Sequence, residues 1–133
     1  VHLTDVEADL HTAINALLSG GLTNLSAAIN LASGELDNLH VHERPAVADA
    51  MIIITDGNPN VPPDAANARA LAAAAADAAR AAGIQVFVVG IGNDLDSAFL
   101  STEIADDASH YFSVANYADL QTVLLNIGKC NQN

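Results

Sequence analysis

The chain reads as an α/β protein built on a doubly wound, mostly parallel sheet with helices on both faces, and three observations lead there. The run Met51 to Ile54 is wholly apolar and empties into Thr55-Asp56-Gly57-Asn58, and IQVFVVGIG at 84–92 is a second such run. Apolar runs of this kind, bounded by turn residues, are buried strands of a parallel sheet. Between them lies AANARALAAAAADAARAAG, a helix of crossover length. Right-handed crossovers then distribute the helices over both faces.

The elements follow in order. Val1 to Leu3 is expected to be the tail of a strand. Thr4-Asp5 signals a helix cap, and Val6, Leu10, Ile14, Leu17 and Leu18 recur at helical spacing, with Asp5, Glu7 and Asp9 near the positive end of the dipole. Gly20-Gly21 breaks the chain. Helical spacing resumes at Leu25, Ala28, Ile29, Ala32, Leu36 and Leu39, with Thr23 or Asn24 as cap. A loop with His40, His42 and Pro45 leads to the first long strand. Pro59, Pro62 and Pro63 hold off the next helix until Asp64, which caps it, and Gly83 stops it. After the second strand come Asn93-Asp94, a helix in LDSAFLSTEIADDA, a short strand in HYFSV, and a closing helix in NYADLQTVLLNIG. The 133 residues are expected to form a single domain.

Composition narrows the function. Sixteen acidic residues against four basic ones leave a charge of −12. Such a surface repels phosphate backbones and anionic headgroups, so nucleic acid and membrane surfaces are disfavoured as partners, while cations and basic groups are favoured. An apolar share of 51% with only 4% aromatic residues means a core of aliphatic side chains and closely approaching helices. No apolar stretch approaches the roughly 18 residues of a membrane span, and no secretory leader stands at Val1. Cys130 is the one cysteine. In a secreted protein it would want a partner elsewhere.

Two loops carry the chemistry, SGGLTNLS at 19–26 and ITDGNPN at 54–60. The first places the Thr23 hydroxyl at a helix start after a glycine pair, and the second places Asp56 at a strand end, where ligands of open α/β sheets gather. A hydroxyl and a carboxylate are hard oxygen donors suited to Mg²⁺ or Ca²⁺ rather than zinc or copper. Spacing alone also permits a local reading, with Thr23 as a helix cap and Asp56 as a turn residue.

The segments GGLTNLSAAINLA, MIIITDGNPN, GIQVFVVGIGND and IADDASHYFSVANYADLQTVLLNIGKC, in that order, resemble the von Willebrand factor type A domain across nearly the whole chain. The resemblance implies a Rossmann-like sheet with a metal-ion-dependent adhesion site at its C-terminal edge. In that family a threonine of the second loop and an aspartate after the central strand help hold a divalent cation, and these fall on Thr23 and Asp56, with Gly21 and Gly57 shaping the loops. The family's Asp-x-Ser-x-Ser motif has no counterpart here, so the chain is expected to lack the N-terminal part of the domain, its first strand and helix included. The resemblance further implies a non-catalytic, extracellular or cell-surface adhesion or matrix module. Its cation would be Mg²⁺, with Mn²⁺ or Ca²⁺ as alternatives, held weakly or not at all by Thr23 and Asp56 alone in this chain, and its partner a protein ligand that supplies an acidic side chain. Further domains of a larger chain are expected, and Cys130 stands where extracellular relatives form a disulfide. The alternative is a structural domain of a polymeric assembly with a vestigial metal site.

Other readings are weaker. Gly90 and Gly92 give G-x-G after a strand, but Leu95 stands where the dinucleotide fingerprint needs its third glycine. Asp56 as a phosphohydrolase nucleophile lacks a second acid two residues on, where Asn58 stands. His40-x-His42 with Glu43 has zinc-like alternation but no further ligand in view. Ser, His and Asp are plentiful, yet no nucleophile elbow occurs. Asn24-Leu25-Ser26 matches the N-glycosylation pattern and is expected to be unmodified, because a glycan there would obstruct Thr23.

Overall fold

A computed structural model describes residues 2–18, 20–37, 39 and 46–130, without the side chains of Lys129 and Cys130. The elements are α1 (Glu7–Asn15), α2 (Leu25–Glu35), β1 (Ala50–Thr55), α3 (Ala65–Ala81), β2 (Gln85–Ile91), α4 (Ser97–Phe99), β3 (Tyr111–Val114) and α5 (Leu120–Cys130). A π-helical turn, Leu100–Ile104, continues α4, and short 3₁₀ turns precede β3 and α5. The sheet has the order β1-β2-β3 with both pairings parallel. In register, Thr55 lies beside Gly90 and Gly90 beside Ser113, so the three strands end along one edge.

Strand β2 is central and alternates its side chains between two cores. Val86 and Val88 join Met51, Ile29, Phe99, Leu100, Ile104 and the alanines of α3 on one face. Phe87, Val89 and Ile91 join Val114 and Ile127 of α5 on the other. Helices therefore cover both faces, as the doubly wound reading requires. The alanine run does what its composition predicts: Ala68, Ala72, Ala75, Ala76 and Ala79 are buried, and their small side chains let α3 lie close to its neighbours. Asp64 caps it by accepting the Asn67 N–H at 3.0 Å, and Gly83 ends it at φ +90°.

Several expectations change. His2 and Leu3 form no strand, and Val1 and the His40–Pro45 loop lie outside the described residues. The N-cap of α1 is Val6, with no side-chain bond; the Thr4 hydroxyl instead accepts the Val6 N–H at 3.1 Å, one step before the helix. Helix α1 ends at Asn15 and buries no residue, so Leu10 and Ile14 are 43% and 63% exposed. Its apolar stripe is real but is not buried among the described residues. Helix α2 ends at Glu35, leaving Leu39 exposed beyond it.

The helix expected over 95–108 stops at Ile104. Arg80 donates to the carbonyls of Ile104 and Ala105 at 2.8 and 3.2 Å. The guanidinium satisfies carbonyls that a longer helix would have paired internally. The wide turn then closes through Ala105 N–H to Leu100 C=O at 2.9 Å.

Candidate functional site

Thr23 sits one residue before Asn24, and the two divide the work that spacing left open. Asn24 is the cap of α2, accepting the Ala27 N–H at 3.1 Å. The Thr23 hydroxyl is thereby free of capping, and it has no hydrogen-bond partner among the described residues. The backbone of Thr23 is fixed instead by the Pro-rich loop. Its N–H donates to Asn60 Oδ1 at 2.7 Å, and its carbonyl accepts the Asn60 N–H at 3.0 Å. Gly21, at φ +86°, lets the chain turn into this position.

Asp56 is likewise released from local duty. The turn after β1 is closed by Thr55, whose nearly buried hydroxyl donates to the Gly57 carbonyl at 2.7 Å and accepts the Gly57 N–H at 3.2 Å. The exposed Asp56 carboxylate takes no part in that turn. One of its oxygens, Oδ2, accepts the Tyr117 hydroxyl at 2.8 Å. That bond, and then the carboxylate's charge, raise the Tyr117 phenol above its ordinary pKa.

The two loops meet at Gly57. A methyl group on its Cα would stand 3.3 Å from Thr23 Oγ1, so the absence of a side chain brings the hydroxyl against the backbone that carries Asp56. On the far side, Asn58 ties the same loop to the β2–α4 loop. Its Nδ2 donates to the Asp94 carbonyl at 3.0 Å, and its Oδ1 accepts the Asp96 N–H at 2.8 Å. Asp96 is consumed in turn by α4 and α3, accepting the Phe99 N–H and pairing with Arg69, whose guanidinium lies 4.2 Å from the Phe99 ring centroid. The Phe99 N–H, and then Arg69, hold the Asp96 carboxyl below its usual range.

The donor set fits a hard divalent cation. Thr23 and Asp56 offer uncommitted oxygens from adjacent loops at the C-terminal edge of the sheet, and such cations complete their shell with water or a ligand's oxygens. Among the described residues no group of three or more His, Cys, Asp or Glu side chains is gathered for a metal. Asn58, Asn60 and Tyr117 were not singled out from sequence. The two asparagines carried a signal, being polar residues at alternate positions of a loop whose prolines already set its course.

The remaining motifs resolve into packing. A methyl group on Gly90 would fall 2.8 Å from Leu95 Cδ1 and 2.9 Å from the Tyr111 hydroxyl, so this glycine lets those two side-chain ends pack against the strand. Gly92, at φ +92°, makes the turn after β2. Asp107, Ser109 and His110 cluster locally, with the Ser109 hydroxyl and then the His110 ring holding the Asp107 carboxyl well below the usual range. The Ser109 hydroxyl donates to that carboxylate, and the His110 ring packs against Phe87 at 4.6 Å between centroids.

The model of the von Willebrand factor type A domain matches residues 1–126. Among solved structures, proximal thread matrix protein 1 from the mussel byssus shares the fold at 18% identity and a TM-score of 0.70 in one crystal form. That match covers 93% of this chain and 31% of the other. A structure of the same mussel protein with a zinc-occupied MIDAS motif aligns at 20% identity and a TM-score of 0.71, over 93% of this chain and 30% of the other. The chain thus spans about a third of the length of these solved chains. A search of curated proteins finds no significant match. No described helix is long and apolar enough to cross a membrane. The chain belongs to the von Willebrand factor type A domain family.

Proposed function

We propose that this domain is a non-catalytic adhesion or extracellular-matrix module that binds a protein ligand through a divalent cation held at the C-terminal edge of the sheet. One observation carries the reading. Asn24 and Thr55 take over the capping and turn-closing roles, leaving the Thr23 hydroxyl and the Asp56 carboxylate on touching loops with no local structural duty. Oxygen donors left free of local roles, on touching loops at the edge where α/β sheets bind ligands, support a ligand-binding role. The cation would be Mg²⁺, with Mn²⁺ or Ca²⁺ as alternatives. Bound there, it would give a chain of charge −12 a positive centre for a partner's acidic side chain. An extracellular setting, a disulfide through Cys130 and a place within a larger chain belong to the same proposal.

A second reading, a structural domain of a polymeric assembly with a vestigial site, is favoured by the thread-matrix origin of the mussel protein. Chelation separates the two. Asp56→Ala is expected to abolish cation-dependent ligand binding while leaving the circular dichroism melt unchanged. Binding that persists undiminished in EDTA would eliminate the cation-mediated reading and leave the site vestigial.

A further inference from the structure

The Tyr117–Asp56 hydrogen bond joins residues 61 positions apart and serves no element of secondary structure. Tyr117 stands in the 3₁₀ turn before α5, and that turn is itself fixed: Asn116 Oδ1 accepts the Ala118 N–H at 2.8 Å, and Leu120 packs into the core behind it. The tyrosine is 64% exposed, so its ring is not there to fill the interior. What it contributes is a hydroxyl placed on one oxygen of an exposed carboxylate. Among the described residues Asp56 Oδ1 has no hydrogen bond. An exposed aspartate otherwise samples several rotamers, and ligation would have to select one of them.

We propose that Tyr117 is a positioning residue of the candidate cation site, its phenol holding Oδ2 of Asp56 so that Oδ1 is left to the cation. The inference rests on the cation reading above and adds to it a contact from the opposite side of the sheet edge. A carboxylate oxygen has two lone pairs, so the phenol and the metal need not compete for the group. Metal binding selects the same Asp56 rotamer that the phenol holds, so by linkage it populates the phenol's hydrogen bond further. Tyr117 becomes a reporter of occupancy as well as a support.

The test uses Mg²⁺ itself and two readouts on the full chain. Calorimetric titration is expected to show Tyr117→Phe binding Mg²⁺ about threefold to tenfold more weakly than wild type, the range that one ordinary, solvent-exposed hydrogen bond supplies. The chain has two tyrosines and no tryptophan, so tyrosine emission is read directly. Phenols hydrogen-bonded to carboxylates emit weakly, and Mg²⁺ should dim the wild type and leave Tyr117→Phe unchanged. If Asp56→Ala abolishes Mg²⁺ binding, yet Tyr117→Phe binds as tightly as wild type and wild-type emission is indifferent to Mg²⁺, the positioning role is overturned and the cation site stands. If the wild type binds no Mg²⁺, both fall together. Wild-type emission is measured on unaltered protein, so the result survives even a Tyr117→Phe variant that folds poorly.

Discussion

The proposed cation site depends at the level of single residues on what Gly57 lacks. Its neighbour across the loop boundary is the Thr23 hydroxyl, and a methyl group would press on it at 3.3 Å, closer than side chains ordinarily tolerate. Thr23 cannot retreat freely, because its N–H and C=O are both bonded to Asn60. Gly57→Ala should therefore displace the hydroxyl and weaken Mg²⁺ binding several-fold, with little change in melting temperature; equal affinity in calorimetry would show that the hydroxyl is not a ligand. Asn60→Ala attacks the same feature from behind. It leaves an N–H without its acceptor and is expected to cost about 1 kcal/mol in urea denaturation. The sequence showed Thr23 and Asp56 through a motif, but their supports only dimly. Asn60 lies 37 positions from Thr23 and Tyr117 lies 61 from Asp56. No local pattern encodes pairs made by tertiary folding.

Among the elements, α3 was the most legible, because one composition served two ends. Alanine maximises helix propensity, and it also permits close approach, so Ala68, Ala72 and Ala76 are completely buried. The second role yields a sharp contrast. Ala72→Leu overpacks the interface and is expected to destabilise by about 1–3 kcal/mol, whereas Ala74→Leu, on the exposed side of the same helix, should be nearly silent. Thermal unfolding of the pair decides whether α3 is packed as described. Other elements were legible only in part. The stripe of α1 was correctly periodic, yet periodicity reports what a helix can bury and not what lies opposite it. The segment after β2 had helical composition throughout, and its early end was set by Arg80, a residue of another helix. Strand β2 was unmistakable, since a central strand must be apolar on both faces.

At the scale of the whole molecule, two electrostatic effects oppose one another as pH falls. Protonating carboxylates relieves the mutual repulsion within a chain of charge −12, which favours the compact state. It also breaks bonds made only by ionised groups. Asp96 and Asp107 both have folded pKa values below the ordinary aspartate value of 3.8. A depressed folded pKa means that the stabilisation is fully present above the unfolded value and is lost as pH drops toward the folded one. Salt separates the two effects, because dispersed surface repulsion is screened while short hydrogen-bonded contacts are screened much less. In dilute buffer, stability should pass through a maximum as pH is lowered from neutrality. Near 0.5 M NaCl the rise should flatten, and the loss below about pH 4 should remain. Asp96→Asn isolates the second effect, since the amide oxygen can still accept from Phe99 but no longer pairs as a charge with Arg69. That variant should start less stable at neutral pH and lose less on acidification. A denaturant series across pH that shows identical acid slopes for wild type and variant would mean that the Arg69–Asp96 clamp between α3 and the β2–α4 loop contributes nothing to stability. The site loop that Asn58 ties to it would then have to be held by its remaining bonds alone.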